Sequence, residues 1–151
     1  MSLLQTNADL NQAALTNCAF QVRELDFFWE EEWPSELTSL AQQSDLILAA
    51  DVVYDKDITI HFFKTLRKLL AMSPKTALIA IEKRQHAGKD GKVIAPNFEI
   101  FLNFLQEMNG SIVGSNMKVV VVNVSIDFLQ YFNYSRVAEL NLFKIQSQLM
   151  E

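Results

Sequence analysis

The chain is short of cysteine, glycine and histidine, and each shortage excludes something. Cys18 is the one cysteine among 151 residues, so no intrachain disulfide forms and a cysteine-based zinc site is unsupported. A single thiol of this kind is expected as a small buried apolar residue. The four glycines, Gly88, Gly91, Gly110 and Gly114, all lie in the second half of the chain, so there is no early phosphate loop. His61 and His86 have no second ligand at metal spacing, and no metal is expected. Thirteen Lys and Arg are scattered among eighteen Asp and Glu, for a net charge of -5. Without a basic stripe the chain does not read as a dedicated nucleic-acid binder.

Other absences narrow the compartment and the chemistry. Residues 1–10 lack the basic start and apolar run of a secretory signal. No window reaches the roughly 18 consecutive apolar residues that a bilayer span needs. The expected setting is therefore reducing, nuclear or cytoplasmic rather than secreted, with no membrane partner. No Ser or Cys sits in a nucleophile elbow, no acid pair carries a glycosidase pattern, and no internal repeat is visible.

What is present is apolar. Half of the residues are hydrophobic and eleven are Phe, enough for one folded domain with a real core. Residues 7–17 carry Leu10, Ala13, Ala14 and Leu15 at roughly helical spacing. Phe20 to Leu25 reads as a strand ending near Asp26. The stretch from Phe27 to Gln43 is a connection with a helix over 35–42 that Ser35 can cap. Its acidic run Glu30, Glu31, Glu32 reads as a solvated face. Residues 45–53, "DLILAADVV", form a strand apolar enough to be covered on both faces.

A helix follows, with Phe62, Phe63, Leu66, Leu69 and Leu70 on one stripe, stopped near Pro74. "TALIAIE" (76–82) is a second strand of the two-face type. The loop over 85–96 should be exposed and mobile. A helix over 97–108 turns Phe98, Phe101, Leu102, Leu105 and Met108 inward and ends at Asn109-Gly110. Residues 118–124 and 139–145 are strands, and the stretch between them is ambiguous between a short helix and an irregular turn. Alternating strands and helices predict an α/β domain with a largely parallel sheet.

In open α/β sheets, ligands bind outside the carboxyl ends of the strands. That rule gathers Asp26, Asp51 with Tyr54, and Glu82 with Arg84 on one rim. Polar residues end most strands because loops are wet, and a Tyr after a strand is usually a half-buried aromatic. Three strands each ending in a carboxylate make the functional reading worth pursuing.

The segments "VRELDF", "DLILAADVVYDKDITIHFFKTLRKLL", "ALIAIEKR" and "ELNLFKI" resemble the C-terminal half of a seven-stranded S-adenosylmethionine-dependent methyltransferase. Within that superfamily the chain resembles the family-16 protein-lysine methyltransferases, whose motif after strand four is D-x-x-Y, here Asp51-Val52-Val53-Tyr54. The resemblance runs over residues 20–147. It implies a Rossmann-like sheet, S-adenosylmethionine as cofactor, and a protein substrate with an acceptor lysine. It also implies that Asp26 lies near the adenine and that Ala49 and Ala50 line the cofactor floor. Asp51 then sits by the methionine part or the target amine, Tyr54 in the acceptor channel, and Glu82 and Arg84 on the substrate side.

The family's glycine-rich loop after strand one, and the acid ending strand two, have no counterpart in these residues. The resemblance therefore implies a truncated sheet, without strands one and two, whose activity is weak or absent. In the family order 3-2-1-4-5-7-6, the segment 45–53 is left with an apolar edge, which invites self-association or a partner strand. The alternative expectation is a non-catalytic α/β interaction module that uses this edge.

Overall fold

A computed structural model describes residues 2–14, 18, 20–30, 32–87, 93–131 and 133–150. Helix α1 (Ser2–Asn11) and a 3₁₀ turn (Gln12–Ala14) come first. The remaining elements are α2 (Ser35–Gln43), β1 (Leu46–Ala50), α3 (Lys56–Met72), β2 (Lys75–Glu82), β3 (His86–Ala87), β4 (Val93–Ile94), α4 (Pro96–Met108), β5 (Ile112–Val113), β6 (Met117–Val124) and β7 (Leu140–Leu149).

Five strands form one sheet in the order β1-β2-β7-β6-β5, and β3 and β4 form a separate small hairpin. The first four reproduce the 4-5-7-6 half of the order that the resemblance implies. Only β1 and β2 are parallel; β7 runs antiparallel to both β2 and β6. The expectation of a largely parallel sheet is thus corrected. The last strand inserts between two earlier ones, and a reversed strand there leaves a single parallel pair.

The core lies on one face, where α3 and α4 cover the sheet. Strand alternation sends Ala77, Ile79 and Ile81 of β2, and Phe143 and Ile145 of β7, to that side, and all are buried. Leu66 and Leu70 of α3 and Phe101 of α4 meet them and are buried. Phe101 is central: its ring lies 5.2 Å from that of Phe63 and 5.3 Å from that of Phe143, the latter edge-on. Within α4, Leu102 is exposed and Phe104 stacks on Phe63 at 4.7 Å instead, which corrects the expected inward set.

The opposite face is open among the described residues. Leu46 and Leu48 of β1 point there, Leu48 remaining 71% exposed, and the register places Leu48 beside Leu78. Among the described strands β1 is therefore an edge strand, partly buried on one face through Ile47 and Ala49, not a central strand covered on both. Its apolar run belongs to an edge whose one partner among the described strands is β2.

Several local expectations also change. Phe20 to Leu25 is irregular, because none of the described strands pairs with it and a lone strand leaves its backbone groups unladdered. Arg23 instead ion-pairs with Glu36 of α2. Pro34 holds the cap position of α2 and Ser35 is its first helical residue, with no side-chain cap. Cys18 is exposed, because it follows a helix α1 that packs little surface on the core. The stretch over 125–131 and 133–137 is irregular rather than helical. Glu30 and Glu32 are exposed as expected, whereas Glu31, Leu15 and the glycines Gly88 and Gly91 lie outside the described residues. The same limit applies to residues 88–92 of the loop expected to be mobile; its flanks pair as β3 and β4.

Candidate functional site at the carboxyl ends of β1 and β2

Strand β1 stops at Ala50 rather than running on to Val53, because the backbone turns at Asp51, where φ is +55°. Asp tolerates this left-handed conformation better than bulky or β-branched residues. The Asp51 amide donates to the carbonyl of Ala80, 3.1 Å away, pinning the turn to β2. Arg84, two residues beyond β2, meets the Asp51 carboxylate: its Nη2 lies 2.8 Å from both Oδ1 and Oδ2. The side chains are 46% and 62% exposed respectively.

After the turn, Val53 points into the core and Tyr54 outward, 52% exposed. The Tyr54 carbonyl accepts a 2.9 Å hydrogen bond from Asn97 Nδ2, which ties this loop to the first turn of α4. Asp55 then caps α3, its Oδ1 accepting from the amides of Asp57 (2.8 Å) and Ile58 (3.1 Å). Asp57 occupies the first turn, where a negative charge suits the helix dipole. The three acids of "DVVYDKD" therefore do different work. Asp55 and Asp57 start a helix, and Asp51 alone faces the rim.

Tyr54, Arg84, Glu82, His86, Asn97 and Phe98 line a cavity of about 80 Å³. Arg84, Glu82 and His86 also border an open outer cleft of about 470 Å³ that Glu139 lines as well. Glu139 is held there by its carbonyl, which accepts from the amide of Lys83 at 2.9 Å. The structure thus brings Asp51, Tyr54, Glu82 and Arg84 to one rim, and Ala49 and Ala50 lead into it as the end of β1.

Asp26 makes no recorded contact with that group among the described residues. Its Oδ1 accepts from the amide of Phe28 at 2.9 Å, closing a turn. That turn docks on α3, with Phe27 edge-on to Phe62 at 5.4 Å and Phe28 stacked on His61 at 4.3 Å. Asn97, His86, Phe98 and Glu139 also line the cavity or the outer cleft, and the sequence pattern marks none of them as a site residue. Asn97 had a signal, since it follows a proline at a helix start, where polar side chains reach neighbouring backbone. Glu139 had none, because β7 reaches the rim only through its insertion beside β2.

The lysine methyltransferase family model matches residues 1–92. The chain belongs to the lysine methyltransferase family. The matched segment takes in the first twenty residues, which carried no recognisable motif, together with Asp51 and Tyr54. Human methyltransferase-like protein 22 is 29% identical over 96% of this chain and 39% of its own length. The mouse protein of the same name is 28% identical over 96% of this chain and 40% of its own. The chain thus spans about two fifths of the length of these relatives. Among the described residues, no helix of this lysine methyltransferase family member is long and apolar enough to cross a membrane.

Proposed function

We propose that the chain supplies the acceptor side of a protein-lysine N-methyltransferase that uses S-adenosylmethionine, the donor its family implies. The observation that carries this reading is the Asp51 turn. A strand ending in two alanines delivers a carboxylate and a phenol to one rim beside a cavity of about 80 Å³. At about 30 Å³ for each water-sized group, that volume suits the end of an alkylamine rather than a large ligand.

The residues fit one flank of the donor. Ala50 is exposed and carries only a methyl group, so the carboxyl end of β1 is free of side-chain bulk. Ala49, Ala50 and Asp51 would hold the methionine end, and Asp26 would serve the adenine side. When bound, the donor supplies an electrophilic methyl group on a sulfonium. The rest of the task is alignment. Asp51 and Tyr54 hold and orient the lysine nitrogen, while Glu82 and Arg84 shape the approach of the substrate. The nitrogen attacks as a neutral amine after its proton has left to solvent, and partial desolvation between Tyr54 and Phe98 favours that neutral form.

S-adenosylhomocysteine tests the cofactor site directly, because a ligand that binds only the folded state raises the melting temperature. An upward shift that grows with ligand concentration supports the reading. No shift at millimolar ligand overturns autonomous methyltransferase activity for this chain.

A second reading is favoured by one specific observation, the exposure of Leu48 on an edge strand. Under it the chain is a non-catalytic interaction module that pairs through β1, with itself or with a partner strand. Sedimentation of a strictly monomeric species across the micromolar range would count against the self-pairing form.

A further inference from the structure

Arg84 meets Asp51 in an unusual way for an arginine. The guanidinium has a two-nitrogen fork that suits a carboxylate, yet here one nitrogen, Nη2, serves both Asp51 oxygens at 2.8 Å. That is how a single-nitrogen ammonium would sit. Arg84 also borders both the narrow cavity with Tyr54 and the outer cleft with Glu139, so it stands between the two spaces. The pair is about half exposed, and exposed ion pairs are weak enough to exchange partners.

We propose that Arg84 is an internal stand-in for the acceptor lysine, and that a cationic side chain reaches Asp51 by displacing it. On entry, the incoming ammonium takes the place of Nη2 between the two Asp51 oxygens. The guanidinium moves into the outer cleft, where Glu82 and Glu139 lie within its reach. Asp51 keeps one cationic partner before and after, so the carboxylate is never left alone. Neutral side chains of similar length have nothing to offer Asp51 in return and leave the pair closed. Arg84 is thus a positioning and specificity residue. This inference rests on the lysine methyltransferase reading of the site and adds its substrate gate.

The test uses n-butylammonium chloride as the probe, with n-butanol as the neutral control and sodium chloride at matched ionic strength. The Arg84 Nε–H signal and the Asp51 and Tyr54 amide signals are followed by NMR. Exchange requires that butylammonium moves the Arg84 signal to saturation, beyond the effect of sodium chloride, and that butanol leaves it in place. Arg84→Met should tighten butylammonium binding about two- to five-fold, the factor that losing an exposed competing pair allows. Arg84→Lys should restore the wild-type affinity, and Asp51→Asn should abolish binding. An unmoved Arg84 signal, or equal or weaker binding by a folded Arg84→Met, overturns the proposal. Failure of the methyltransferase reading looks different: S-adenosylhomocysteine gives no melting shift while the Arg84 signal still responds to the cation.

Discussion

One nitrogen of Arg84 bridges both carboxylate oxygens of Asp51, joining the ends of two parallel strands across 33 residues of sequence. The contact depends on the turn at Asp51, whose φ of +55° aims the carboxylate toward β2. Asp51→Val should therefore destabilise the fold by about 1–2 kcal/mol through backbone strain alone. Asp51→Gly should lose no more than the roughly 0.2–1 kcal/mol of an exposed ion pair, and the freed backbone offsets part of that. Urea unfolding of the two variants checks the order.

Asp55→Ala should cost about 1 kcal/mol, because two amides of the first turn of α3 lose their acceptor. Asp55→Asn should recover most of it. Neither change alters the Asp51–Arg84 contact, so NMR shifts at Arg84 should stay in place while the unfolding midpoint moves.

Lys75 is buried at the start of β2, its Nζ donating to the Ala41 carbonyl (2.6 Å), the Ser44 carbonyl (2.5 Å) and the Ser73 hydroxyl (2.6 Å). It fastens the end of α2 to the sheet. Lys75→Met leaves those acceptors without a donor and should destabilise by about 1–3 kcal/mol at neutral pH. Burial holds the Lys75 ammonium below its ordinary value of 10.5, with Asp45 opposing the shift. The folded chain thus releases this proton at lower pH than the unfolded chain does. The cost of the buried charge is present below the folded pKa and is relieved as pH rises from there toward 10.5. Lys75→Met should remove this alkaline contribution, read from unfolding midpoints across that range.

Phe101→Ala should be the most damaging single truncation in α4, costing about 3–5 kcal/mol. Its ring touches those of Phe63 and Phe143, and its site is fully buried. Leu102→Ala, one residue along, should change stability by less than about 0.5 kcal/mol, since Leu102 faces solvent. Thermal unfolding of the pair separates the two faces of the helix.

Leu48→Glu should likewise leave monomer stability nearly unchanged, since Leu48 is 71% exposed. If β1 pairs with a second strand, the same charge on the edge should suppress the association. Analytical ultracentrifugation reads both outcomes on one sample.

Local chemistry made much of this molecule readable from the sequence. The Phe62-Phe63-Leu66-Leu70 stripe specifies α3 because helical spacing puts those side chains on one face. Pro74 stops it because the residue before a proline avoids helical backbone. The motif Asp51 to Tyr54, set between a strand and a helix and followed by a strand that runs into Glu82-Lys83-Arg84, carries the family resemblance. Tertiary structure decided what depends on neighbours. The apolar run of β1 does not reveal whether its faces are covered, because burial belongs to the partner as much as to the strand. Phe20 to Leu25 has strand-like residues but no ladder among the described strands, and propensity cannot supply one. The pairing of Asp51 with Arg84 follows from β1 lying parallel beside β2, and the arrival of Glu139 near Arg84 follows from β7 entering between β2 and β6. Such a juxtaposition is written in the topology, and no window of sequence contains it.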